Sequence, residues 1–258
     1  MGFFLEVQNT SFANNAVRFV PPVAVGLEFW GLFGGSGEKT KKNLAPNKPD
    51  GVLIGAPVIA EDHATFSRYD YVDTSVLDHA DLTLFVVARV FDEDTSGGGT
   101  LFSTGVAQPR AGVSGSSSGV QFVYYSTAAA GQEELRAHRY KFNGEANAPT
   151  VAAPYPSQAV VTNQWALLAM THDSATRTTR LKNFTTGLTA SATAVAPNSI
   201  EDVAVATFKI GGQPGSASYA APIDLAAAAM YHVALSDADS ALVYDRLKKT
   251  MALRGINI

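Results

Sequence analysis

The sequence has no cysteine, little charge and no long apolar run, and each lack excludes something. Without cysteine among its 258 residues, the chain has neither a disulfide framework nor a thiolate metal site. Charged residues make up 16%, against roughly 25% in an ordinary soluble domain. Lysine and arginine number 19 and aspartate and glutamate 23, a net charge of −4. A general nucleic-acid binder needs a basic face, which this balance does not supply. No apolar run reaches the about 18 residues of a membrane-spanning helix. The opening Met1-Gly2-Phe3-Phe4-Leu5-Glu6 lacks the basic segment of a signal peptide. Glu6 also stands where a myristoylation site requires Ser or Thr.

What is present is apolar and punctuated. Hydrophobic residues reach 46%, enough to build a core and to argue against global disorder. The 22 glycines and 12 prolines break the chain into short runs, the pattern of many strands joined by turns. Expected strands are Ala16–Val20, Gly26–Leu32, Val52–Ile59, His63–Phe66, Leu82–Phe91, Thr100–Ser103 and Gly119–Ser126. They continue with Glu134–Tyr140, Trp165–His172, Arg177–Asn183, Val203–Ile210 and Asp224–Leu235. Leu82–Phe91 and Trp165–His172 are apolar on both faces, so each is expected as a central strand covered on both sides. Arg136, His138 and Tyr140 alternate with Ala137 and Arg139, polar on both faces, which predicts a rim or edge strand. Gly34–Pro49 and Ala111–Gly119 read as loops.

The period changes at the C-terminus. Ser236-Asp237-Ala238-Asp239 forms a capping box with Asp in place of Glu. Val243, Leu247 and Met251 follow at four-residue spacing with Leu242 beside them. Lys248, Lys249 and Arg254 complement the helix dipole, and Gly255 offers a stop. One amphipathic helix over about Asp237–Arg254 is expected, lying on a sheet.

The order of these elements resembles a known family. Asp73-Thr74-Ser75-Val76 precedes Ala80–Arg89, and a strand then ends at Leu101-Phe102-Ser103-Thr104-Gly105. Trp165–Asp173 turns near Ser174-Ala175 into a return strand closing at Gly187. Phe208-Lys209-Ile210-Gly211-Gly212, Ile223–Leu235 and the helix opening Leu235-Ser236-Asp237 complete the set. From Val52 to Ile258 this resembles the concanavalin A-like lectin/glucanase jelly roll, in its laminin-G-like branch. The resemblance implies an all-β fold, a two-sheet antiparallel jelly-roll sandwich with one C-terminal helix. Gly26–Leu32, Asn43-Leu44-Ala45-Pro46, Val58–Phe66 and the ending Leu253-Arg254-Gly255-Ile256 resemble lectin-like domains of tailed-phage tail and fibre proteins. That likeness implies a virion protein assembled in the host cytoplasm. The chain is thus divided into residues 1–50, an arm and first strands for attachment or oligomerisation, and a jelly-roll domain over residues 51–258.

Catalytic motifs do not assemble. The family's glucanases use Glu-x-Asp-x-x-Glu, and no glutamate here has an aspartate two residues on. Glu61-Asp62 and Asp92-Glu93-Asp94 place adjacent acids on opposite strand faces. Gly34-Gly35-Ser36-Gly37-Glu38-Lys39-Thr40 lacks the glycine that a P-loop places before its lysine. Gly115-Ser116-Ser117-Ser118-Gly119 lacks the strand before and helix after a nucleophile elbow. Asp92–Gly97 imitates half of a calcium loop, yet the twelfth position is Ser103 instead of Glu. The segment is expected as a hairpin turn, and no cofactor is expected, with calcium as the alternative because some laminin-G-like domains bind it. No two of His63, His79, His138, His172 and His232 share the i+2 or i+4 spacing of metal ligands on one element.

The reading is therefore a non-enzymatic virion protein with a lectin-like domain for a bacterial surface glycan. The alternatives are a purely structural virion subunit and a polysaccharide-degrading enzyme. Aromatic and hydrogen-bonding side chains suited to sugars are Tyr124, Arg136, His138, Tyr155 and Tyr219, with Tyr125 and Tyr140 beside them. Tyr124 and Tyr125 face opposite ways on a strand, so one of them belongs to the core. The arm carries Phe3, Phe4, Leu5, Phe12, Phe19 and Val20 with few charges. An apolar end of this kind needs cover, which predicts a homo-oligomer, a trimer by analogy with fibre proteins. Other virion proteins are the expected partners, without nucleic-acid binding or membrane insertion.

Overall fold

The computed structural model describes residues 19–91, 97–104, 119–126, 132–142, 151–152, 156–195, 200–201, 206–214 and 217–258. In chain order it begins with β1 (Leu27–Leu32), the one-turn helix α1 (Gly37–Thr40), β2 (Val52–Ile54), β3 (Val58–Ile59), β4 (Ala64–Phe66) and β5 (Tyr71–Leu77). Then come β6 (Leu82–Val90), β7 (Gly98–Ser103), β8 (Val120–Ser126), β9 (Gln132–Phe142), β10 (Val151–Ala152) and β11 (Ser157–Val161). The chain closes with β12 (Trp165–Asp173), β13 (Thr178–Asn183), β14 (Thr189–Thr193), β15 (Ile200–Glu201), β16 (Thr207–Ile210), β17 (Ile223–Tyr231) and α2 (Asp237–Ala252).

The strands form two antiparallel sheets packed as a sandwich. The first runs β14-β13-β12-β6-β17-β4-β3, with β1 also on β17. The second runs β10-β9-β8-β7-β16-β5-β2, with β11 and β15 also on β9. Alternation sorts β6 as its sequence predicts. Leu82, Leu84, Val86, Ala88 and Val90 enter the core between the sheets, while Phe85 and Val87 enter a second core on the other face. β12 does the same, with Leu168 and Met170 inward and Leu167 and Ala169 outward. Only a strand buried on both faces takes such a pattern.

The second core lies under α2. Val243, Leu247 and Met251 are fully buried there. Ser236 caps the helix by accepting from the Asp239 N–H at 3.1 Å, and its hydroxyl donates to the Asp239 carboxylate at 2.7 Å. Leu242 points to solvent at 51% exposure, so it is not part of the stripe. Arg254 does more than oppose the helix dipole. Its guanidinium donates to the Ala226 carbonyl at 2.8 Å and to the Phe33 carbonyl, tying the end of the helix to the sheet.

Several expectations are corrected. β1 pairs along β17 from Leu27↔Tyr231 to Leu32↔Ala227, so the sandwich takes in residues well before the division drawn at 50. The run Val52–Ile59 is two strands in different sheets. Gly55, at φ 78°, makes the crossing, and a Cβ there would sit 2.5 Å from the Tyr69 carbonyl. The polar β9 is no rim strand, since β8 pairs on one side and β11 on the other. The loop over 34–49 holds α1, whose buried Thr40 accepts from the Gly34 N–H at 3.1 Å. Of the expected strand Ala16–Val20, residues 16–18 lie outside the described residues, and the Phe19 ring packs tilted against Trp30 at 5.0 Å.

Candidate functional site

The face of the second sheet turned away from the first gathers most of the sequence candidates. On β9, Leu135 and Ala137 enter the core, so Glu134, Arg136, His138 and Tyr140 point outward. On β8, Phe122 and Tyr124 enter the core, which turns Gln121 and Tyr125 outward. The β8–β9 register sets Tyr125 opposite Glu134 and Gln121 opposite His138.

These side chains engage one another. The Arg136 guanidinium donates to the Glu134 carboxylate and lies 4.6 Å from the centre of the Tyr125 ring. Tyr219, in the short 3-10 turn Ala217–Tyr219, meets Tyr125 edge-on at 5.6 Å. The Tyr140 hydroxyl donates to Gln121 Oε1 at 3.0 Å, and the His138 and Tyr140 rings stack at 6.3 Å. Arg136 and Glu134 keep 25% and 27% of their side-chain surface exposed.

The electrostatics are those of a neutral platform. The hydrogen bond from Arg136 holds the Glu134 carboxyl below its usual range, so the two charges cancel. Burial, helped by the Arg136 cation, pushes His138 down to about 4, and its imidazole is uncharged at neutral pH. Such an arrangement leaves the Tyr125 ring and the self-paired Arg136–Glu134 charges partly exposed, while Gln121, Val123 and His138 of the same face are buried. It suits a hydroxyl-rich ligand better than an anion.

The candidates thus part ways. Arg136 and Tyr219 meet at Tyr125, and His138 lies in the same outward row but is buried at 7% exposure. Tyr124 is corrected to a core residue. It is fully buried, with its hydroxyl donating to the Pro222 carbonyl at 2.8 Å, so its ring is closed to a sugar. Tyr155 lies outside the described residues, as do residues 92–96 of the calcium-like loop. Among the described residues no group of three or more His, Asp or Glu is placed to hold a metal ion. The sequence alone singles out neither Gln121 nor, as a sugar contact, Glu134. Their signal was the outward parity they share with Arg136 and Tyr125, visible only once the core-facing set was known.

No family model matches the chain, and no curated protein matches it in sequence. Solved structures do match in fold. The botulinum neurotoxin serotype D binding domain has a TM-score of 0.57 at 11% identity, covering 87% of this chain and 52% of that one. The receptor binding domain of the botulinum neurotoxin C/D mosaic serotype gives 0.56 at 12% identity, with 87% and 52% covered. Trypanosoma rangeli sialidase in complex with sialic acid gives 0.56 at 12% identity, with 85% and 32% covered. The likeness is one of fold, a two-sheet β-sandwich. The chain spans about half the length of the toxin domains and a third of the sialidase, and identities this low speak to architecture alone. The neighbours include both an enzyme and binding domains, so a sandwich of this kind serves either use.

Proposed function

We propose that the protein is a non-enzymatic glycan-binding module, acting through the outer face of its second sheet on a bacterial surface glycan. The observation that carries this reading is the Tyr125–Arg136–Glu134 group, an aromatic face with a charge-balanced pair beside it and Tyr219 at its rim. Sugars present apolar C–H faces and hydroxyl edges, and this group offers a counterpart to each. The chemistry for hydrolysis is poorly served. Glu134 is held ionised by Arg136, and a His138 that protonates only near 4 is a weak base at neutral pH. The resemblance of residues 26–66 to phage tail and fibre domains extends the proposal to a homo-oligomeric virion subunit, with a trimer as the expected assembly and the arm before β1 as its attachment segment.

The test is a glycan array and whole-cell binding with the wild type, Tyr125→Ala and Arg136→Ala, each checked for native unfolding. Binding to a lipopolysaccharide or capsule is expected, weakened about tenfold or more in both variants, a loss of at least 1.4 kcal/mol. Absence of binding to every host glycan would overturn the proposal, and release of reducing ends from a bound polysaccharide would overturn its non-enzymatic part. Light scattering on the eluted protein should give a multiple of the 27.1 kDa chain.

A further inference from the structure

A cleft far from the Tyr125 group has the makings of a second ligand site. It holds about 300 Å³, the lower end of the range for small-molecule sites. One wall is the end of β5, from Thr74 to Leu77, and the other is the loop before β2 with Lys48 and Pro49. Glu28 of β1 lies at the back, and His79 stands at the mouth.

The loop wall is fixed. Asn43 accepts from the Trp30 and Ala45 N–H groups and donates to the Glu28 and Pro49 carbonyls, all at 3.0 Å. This locks the loop to β1, so the cleft is built before any ligand arrives. The back wall is charge-balanced. Glu28 takes Lys48 Nζ on one carboxylate oxygen and His232 Nδ1 on the other, each at 2.6 Å. The His79 ring packs against His232 at 5.2 Å, and neither of its nitrogens is hydrogen-bonded to a described residue. Ser75, at φ 59°, is exposed, and its hydroxyl has no partner among the described residues. Leu77, 55% exposed, forms an aliphatic side with Val76 and Pro49.

From this arrangement we infer that the cleft is a ligand site for one neutral sugar residue. An anion meets Glu28 and a cation meets Lys48, so a ligand with net charge gains nothing that the pair does not already supply. An uncharged polyol hydrogen-bonds to the carboxylate, the ammonium, the imidazole and the serine together, and lays its C–H face on Leu77 and Val76. The inference rests on the glycan-binding reading and adds a subsite to it. β5 lies four strands from β9 in the same sheet, about 19 Å at the 4.8 Å strand spacing, so one extended glycan can reach both places and gain from the linkage.

The experiment is saturation-transfer NMR of the full chain with neutral hexoses and N-acetylhexosamines, and with glucuronate and glucosamine as charged counterparts. The variants are Leu77→Arg, which fills the cleft from an exposed position, His79→Ala, and Tyr125→Ala on the distant face. A neutral sugar is expected to give transfer to the wild type and to Tyr125→Ala. The transfer should weaken about tenfold with Leu77→Arg and His79→Ala, and the charged sugars should bind less well. A signal abolished by Tyr125→Ala and unchanged by Leu77→Arg overturns the cleft and leaves the outer-face reading standing. Stronger transfer to glucuronate or glucosamine overturns the neutral class, and no transfer from any sugar overturns the subsite.

Discussion

Arg139 offers the sharpest test of the fold. It sits on the core side of β9 and donates to the Asp78 carboxylate at 2.6 Å and to the His79 carbonyl at 2.9 Å. Both side chains of the pair are 0% exposed. Arg139→Met keeps most of the stem and removes the cation, leaving Asp78 in the interior without its guanidinium. Breaking a buried pair in this way costs about 3–5 kcal/mol. For a chain of this size that is a fall in melting temperature of roughly 6–20 °C, at about 2–4 °C per kcal/mol. Urea unfolding followed by the fluorescence of Trp30 and Trp165 should show a lower midpoint with an unchanged slope. The double variant Arg139→Met with Asp78→Leu removes both charges and should regain most of the loss, because an apolar replacement of a buried pair is often close to neutral. A single-variant loss under about 1 kcal/mol, or a double variant as unstable as the single one, would refute the reasoning.

Two further outcomes follow from groups already described. Burial holds His138 at about 4 in the folded chain against 6.5 for a free imidazole, so the unfolded chain takes up the proton first. The resulting stability is complete above about pH 6.5 and is lost as the pH falls toward 4; relative to His138→Gln, the wild type should lose melting temperature across that window, and a constant difference would exclude the effect. Gly211 has φ 90°, and a Cβ there would lie 2.5 Å from Phe66 Cβ and Cγ, whereas Gly187 at φ 78° has open space. Chemical denaturation should therefore find Gly187→Ala destabilised by about 1 kcal/mol of backbone strain and Gly211→Ala by more; equal losses would remove the packing argument.

The parts of the fold legible in the sequence were those where one face had no choice. β6 and β12 carry apolar residues at every parity, and α2 carries its cap and its four-residue spacing. Those patterns survive any tertiary context that buries them. β9 reads as a rim strand from its residues alone because polarity on both faces implies exposure. Arg139 is inside because Asp78 and a carbonyl meet its donors, and that pairing joins residues 61 positions apart. β14, with Thr189-Ala-Ser-Ala-Thr193, and β11, with Ser157-Gln-Ala-Val-Val161, are short, and their few β-branched residues become strands because neighbours pair with them. The outer-face site was half legible. Arg136 and Tyr219 stand out in the sequence, but only the burial of Tyr124 and the contacts at the Tyr125 ring show that they meet on Tyr125. The Glu28 cleft was not legible at all, since its parts come from β1, the following loop, β5 and the end of β17.

β17 sets a rule for how this domain can change. Ala226, Ala227, Ala228 and Ala229 are fully buried in mid-strand, with Ala228 facing the second sheet and the others facing α2. A methyl is the whole spacer between backbone and neighbour on either side, so any enlargement there pushes on a helix or on the opposing sheet, and close-packed interiors resist it. The alanine strand therefore acts as the fixed gauge of the molecule's thickness. Enlarging substitutions are shut out of the centre and are tolerated on the outer face and in the connecting loops, where they leave the packing between sheets and helix untouched.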